Sequence, residues 1–140
     1  MIGVVDASVA LKWFFQDRDN EADCNQALTI LYDIDAGRIK LVQPPHFIAE
    51  VAAVLTREKS DEAEDDLFDL LNIECCVANE PELYTTAINL AAQYKHHLLD
   101  TLYHAVALNT PGATLITADT VYYQKAKESG RILLLKDYTE

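Results

Sequence analysis

This 140-residue sequence predicts an α/β fold: a mostly parallel central sheet of about four to five strands flanked by helices. Two observations predict it. Short apolar runs alternate with helix-period patterns from end to end, and those runs are continuously apolar, as strands covered on both faces must be. No repeat, linker or low-complexity segment interrupts the alternation, so residues 1–140 read as a single domain.

The first run, Ile2 with Gly3, Val4 and Val5, is partly β-branched and too short for a helix, so it reads as a buried strand. Residues 7–15 follow with Val9, Ala10, Trp13 and Phe14 at helical spacing; Trp13, Phe14 and Phe15 are expected in the core. Residues 20–36 carry Cys24, Ala27, Leu28, Leu31 and Ile34 on one stripe and stop at Gly37. Residues 39–42 form a short strand ended by Pro44 and Pro45. Helices are expected over 46–59 and 61–71, then a strand over 73–77. Pro81 between Glu80 and Glu82 marks a helix start, with acids well placed against the helix dipole; this helix runs to about Tyr94. A helix over 99–109 ends at Pro111 and Gly112. A strand over 114–117, a helix over 120–129 ended by Gly130 and a last strand over 132–135 complete the chain.

Half of the residues are apolar, which argues against disorder. No uninterrupted apolar stretch approaches the roughly 20 residues of a membrane span, and no basic segment precedes an apolar one at the N-terminus. Cys24, Cys75 and Cys76 are odd in number and lack CxxC spacing, so buried free thiols in a reducing cytoplasm are expected. The net charge of −12 is unusual for a protein that grips phosphate by charge alone. It is unevenly spread: Asp61, Glu62, Glu64, Asp65, Asp66 and Asp69 cluster on what reads as the solvated face of a helix. Lys125, Lys127, Arg131 and Lys136 give the C-terminal stretch a local positive balance.

Four acids occupy positions where a carboxylate is hard to justify as surface. Asp6 ends the first apolar run, and Glu50 interrupts Ile48, Ala49, Val51 and Ala52. Asp100 follows Leu98 and Leu99 at a helix start, and Asp119 closes the run Leu115, Ile116, Thr117, Ala118. Asp6 and Asp119 fall at strand C-termini, the edge where open parallel sheets collect functional groups. Glu50 lies at the border of its helix's buried stripe. All four can converge on one cleft, and without basic neighbours in sequence they suggest carboxylates around a cation. Helix capping accounts for Asp100 or Asp119 taken singly, less readily for Asp6.

Other chemistries have less support. His96, Asp100 and His104 are spaced four apart and resemble a zinc or nickel site, provided one helix extends back to His96. A structural role for His104, with His96 and His97 exposed, is the alternative. Ser8 and Cys24 have no neighbouring His, and no Gly-x-Ser-x-Gly or glycine-rich phosphate loop occurs. An aspartyl-phosphate enzyme would place a second Asp where Ser8 stands.

The stretches Val4-Val5-Asp6-Ala7-Ser8-Val9-Ala10, Pro44-Pro45-His46-Phe47-Ile48-Ala49-Glu50, Asp100-Thr101-Leu102-Tyr103-His104-Ala105 and Leu115-Ile116-Thr117-Ala118-Asp119 resemble, in order and interval, the four motifs of PIN-domain nucleases. Size and ending resemble the VapC-type toxins of toxin–antitoxin pairs. The resemblance implies a PIN-like three-layer α/β/α fold and hydrolysis of RNA phosphodiesters with Mg²⁺ or Mn²⁺. It implies Asp6 and Asp100 as primary metal ligands, Asp119 binding directly or through water, and Glu50 orienting water or a second ion. Ser8 and Thr117 are candidate donors to those carboxylates. Lys12, Arg18, Lys125 and Lys127 are candidate RNA contacts, with single-stranded or loop RNA the expected substrate. A homodimer and a cognate antitoxin are the implied partners. The alternative is a catalytically weak module of the same fold whose acidic face engages a basic protein.

Overall fold

The computed structural model describes residues 1–17 and 22–139. Strands β1 (Ile2–Val5), β2 (Lys40–Gln43), β3 (Cys76–Val77), β4 (Ala113–Thr117) and β5 (Ile132–Leu134) form one sheet in the order β3-β2-β1-β4-β5. Every pairing is parallel. The flanking helices are α1 (Ala7–Ala10), α2 (Cys24–Asp35), α3 (Phe47–Glu58), α4 (Ala63–Leu71), α5 (Pro81–Tyr94), α6 (Leu98–Asn109) and α7 (Thr120–Ala126). The predicted α/β class is the observed one. Val4, Val5, Leu115 and Ile116, at the centre of the sheet, are essentially inaccessible, which is why those runs do not alternate.

Helix α6 lies against β1, β2 and β4, with α5 packed along it. Held between layers, it is buried continuously from Thr101 to Ala107. Its threonine hydroxyl is satisfied by backbone: Thr101 Oγ1 donates to the carbonyls of Leu98 (2.8 Å) and Ala87 (3.0 Å). Trp13 and Phe15 are in the core as expected, and Phe14 packs against it.

Several boundaries differ from the sequence expectation, each for a local reason. The helix expected over 7–15 is α1 followed by a tighter 3₁₀ turn at Leu11–Trp13. Helix α7 likewise gives way to a 3₁₀ turn at Lys127–Ser129. The strand expected over 73–77 shrinks to two edge residues, because the amide of Ile73 still bonds back to Leu70 at the end of α4. Cys76 is exposed and Cys75 and, on α2, Cys24 are half-buried, which corrects the expectation of buried thiols, although none of the three forms a disulfide. Acidic α4 is largely solvated as expected, with Asp66 turned to Lys59 (2.9 Å). Among the described residues no helix is long and apolar enough to cross a membrane.

The register sets up the functional edge. β1 and β4 are adjacent, with Val5 opposite Ile116, while the chain runs from β1 to β2 on the other side. Strand order therefore reverses between β1 and β4, the kind of point where open sheets place their clefts. Backbone pairing between β1 and β2 covers only Ile2 with Lys40 and Gly3 with Leu41. Beyond it the buried side chain of Gln43 continues the ladder. Val5 N–H donates to Gln43 Oε1, and Gln43 Nε2 donates to Val5 O, both at 2.8 Å. On the opposite side Asp6 N–H donates to Ile116 O at 3.0 Å. Asp6 thus leaves β1 from a backbone fixed on both flanks. Gln43→Leu strands two buried backbone groups, so it should cost about 2–4 kcal/mol, read as a lower urea midpoint with an unchanged m-value; a loss under 1 kcal/mol in that titration refutes the bracing role.

Candidate metal centre

Asp6 is the N-cap of α1, the structural role the sequence made hardest to credit. Its Oδ2 accepts from Ser8 N (3.1 Å) and from Ser8 Oγ (2.5 Å). Ser8 Oγ in turn accepts from Ala118 N at 3.1 Å, between β4 and α7. One hydroxyl thereby ties the ends of both central strands together and aims the Asp6 carboxylate.

Glu50 comes from the first turn of α3. The fully buried Tyr103, one helical turn beyond Asp100, donates its hydroxyl to Glu50 Oε1 at 2.6 Å. Burial, then the Glu50 bond, pushes the Tyr103 hydroxyl well above its ordinary value, so it remains a donor. The His46 ring packs at a tilt against Tyr103, centroids 4.8 Å apart, with Nε2 3.9 Å from Glu50 Oε1, and neither ring nitrogen has a hydrogen-bond partner.

Asp100 sits in the first turn of α6, and Asp119 is the N-cap of α7. Asp119 uses Oδ1 to accept from Tyr122 N (3.0 Å), and its own N–H donates to Thr117 Oγ1 (3.0 Å). Capping engages one oxygen and leaves Oδ2 free for the cleft. His96 joins them: its Nε2 lies 3.0 Å from Asp100 Oδ2 and 4.0 Å from Asp119 Oδ2. The expected exposure of His96 is corrected, since its side chain is only 9 % exposed; His97 is exposed. The single helix needed for a His96–Asp100–His104 site is absent, because α6 begins at Leu98 after Lys95 turns the chain with φ of 51°. His104 points away, bonding Tyr122 Oη and Gly130 O at 2.8 Å each, and burial lowers its basicity. It is structural.

Three of the acids act on one another across elements. Burial, and then the charges of Asp100 and Glu50, push the Asp6 carboxyl up to about 7, against the opposing pull of the Ser8 bonds. Asp100, Asp119 and His96 present donor atoms all within 4.8 Å of one another. Asp100 belongs to both groupings. Among the described residues no lysine or arginine is paired with any of the four acids. This set of hard oxygen donors, crowded and lacking counter-charge, fits a divalent cation.

The basic candidates fare unevenly. Lys125 Nζ reaches His96 Nδ1 at 3.2 Å, beside the cluster. Lys127 bonds Gln124 instead, Lys12 is half-buried in the 3₁₀ turn after α1, and Arg18 lies outside the described residues. Sequence reasoning missed Tyr103 and Gln43 altogether. Both act through cross-element contacts that no periodicity announces.

The crowding has a measurable sign. Between the ordinary 3.8 and about 7 the folded protein holds a proton on Asp6 that the unfolded chain has released. Stability therefore falls as pH rises through that window. In excess EDTA, Asp6→Asn should melt higher than wild type at about pH 8, by on the order of 1–3 kcal/mol, with the gap closing toward about pH 4. A gap independent of pH in those melts contradicts the crowding.

The comparisons with known proteins bear on the same residues. No curated protein matches the chain. The profile of the PIN domain family matches residues 3–128, a span containing all four acids. The chain belongs to the PIN domain family.

Proposed function

We propose that this protein is a Mg²⁺- or Mn²⁺-dependent endoribonuclease that hydrolyses phosphodiester bonds in single-stranded or loop RNA, and that it is the toxin of a toxin–antitoxin pair. PIN domains are generally metal-dependent nucleases. The observation that carries the reading is the convergence of Asp6, Glu50, Asp100 and Asp119, from four separate elements, with no lysine or arginine paired to them among the described residues.

In this reading Asp6, Asp100 and Asp119 hold the ion, and Glu50 serves a water or a second ion. A bound divalent ion supplies charge neutralisation at the scissile phosphate and acidifies water. The protein supplies the rest. Ser8 fixes the direction of Asp6, and the Tyr122 amide fixes Asp119. Tyr103 occupies Glu50 Oε1 and leaves Oε2 free to orient an attacking water and take its proton. The protein acts in the cytoplasm as a homodimer, silenced by its antitoxin. Exposed Phe68 and Leu71 among Glu64, Asp65 and Asp69 of α4 offer a basic partner segment an acidic surface studded with apolar groups. The same surface favours a second reading, a catalytically weak module that only binds a basic protein.

An RNA pool and single-stranded DNA offered to the purified protein separate these readings. RNA cleavage should require Mg²⁺ or Mn²⁺, and Asp6→Asn should lower it by about a hundredfold or more while the circular dichroism spectrum is kept. Cleavage undiminished in excess EDTA sinks the mechanism. No turnover on any RNA, with tight partner binding unaffected by Asp100→Asn, favours the binding module.

A further inference from the structure

We infer that His96 is a nitrogen ligand of the bound ion, and that with Asp100 and Asp119 it makes the site prefer a first-row transition ion such as Mn²⁺ over Mg²⁺. This rests on the metal-dependent reading above and extends it to the choice of ion.

The first support is position. His96 Nε2 faces both carboxylates, and donors adjacent on an octahedral ion with bonds near 2.1 Å lie about 3 Å apart. The 3.0 Å between His96 Nε2 and Asp100 Oδ2 already has that spacing. The second is immobilisation. The ring packs at 4.8 Å against the buried Tyr122, whose amide also holds Asp119 and whose hydroxyl bonds His104. One tyrosine therefore sets His96 relative to Asp119 before any ion arrives. The third is donor chemistry. Magnesium discriminates against nitrogen in favour of hard oxygen, whereas imidazole suits transition ions, whose affinity rises from Mn²⁺ toward Ni²⁺.

The proton on the ring has a defined place to go. A lysine ammonium only donates, so Lys125 at 3.2 Å makes Nδ1 an acceptor and leaves the ring proton on Nε2, toward Asp100. Ligation requires Nε2 bare and the proton on Nδ1, with no net proton released. Lys125 is exposed and free to swing out. The Lys95 carbonyl, which the same ammonium approaches at 3.4 Å, stays beside the vacated position to orient a water that accepts from Nδ1–H.

The test uses untagged full-length protein with Mn²⁺ alone and Mg²⁺ alone. Pulsed electron paramagnetic resonance of the Mn²⁺ complex should show coupling to a directly bound imidazole nitrogen, absent in His96→Gln. By calorimetry the Mn²⁺-to-Mg²⁺ affinity ratio should fall roughly tenfold or more in His96→Gln, with Mg²⁺ affinity changed less than about threefold. Thermal melts of the ion-free proteins confirm that the variant folds, and His96→Ala should repeat the loss. Mn²⁺ bound and RNA cleaved without nitrogen coupling, or an unchanged ratio in both variants, overturns the role of His96 alone. No ion bound at all overturns the nuclease reading with it.

Discussion

Like charge held at close quarters by neutral donors is the constraint around which this fold is arranged. Asp6 is fixed by a serine, Glu50 by a tyrosine hydroxyl and Asp119 by a backbone amide. None of these contacts neutralises a carboxylate. Asp33 shows what the same chain does with a buried acid that is structural. It accepts from Tyr138 Oη and from Arg38, and those bonds hold its carboxyl below the usual range. Asp6, denied a cation and pushed up first by burial, moves the other way. The contrast lies in the balance: burial outweighs the Ser8 bonds at Asp6, whereas the Tyr138 and Arg38 bonds outweigh it at Asp33.

Sheet topology turns that local choice into a site. β1 and β4 end side by side, and their following turns carry Asp6 and Asp119. Helix α6, buried from Thr101 to Ala107, carries Asp100 in its first turn, where the helix emerges at the same edge. Tyr103 then reaches across to α3 and draws in Glu50. The Ser8–Ala118 and Tyr103–Glu50 bonds cross between elements and brace the cluster on the core beneath it.

The sequence carried the strands, most helices and the four acids because each leaves a local trace: an apolar run, a 3.6-residue stripe, or an acid where burial is expected. Ile73 and Cys75 look like strand residues and suggest a longer β3, yet the end of α4 still holds Ile73. Gln43, Tyr103 and His96 could not be read in the same way. A buried glutamine after an apolar strand, a tyrosine within an apolar helix and a histidine before it have no periodic signature, and their partners lie 38, 53 and 4 residues away. The spacing of His96 and Asp100 is visible in the sequence, but it suggests a shared helix with His104, and α6 begins two residues too late to include His96.

The net charge of −12 then ceases to be an argument against a nucleic-acid substrate. At physiological salt a phosphate responds mainly to charges within a Debye length of about 8 Å, so the solvated acids of α4 are screened from whatever lies beyond that range. What a phosphate meets in the cleft is the local sum over Asp6, Glu50, Asp100 and Asp119, partly protonated at Asp6 and bordered by Lys125. A divalent cation entering that cluster changes the local sum by two charges and removes the repulsion at the one place it acts. Acidity of the whole surface and anion binding at one edge are therefore compatible, provided that the site takes its cation before its substrate.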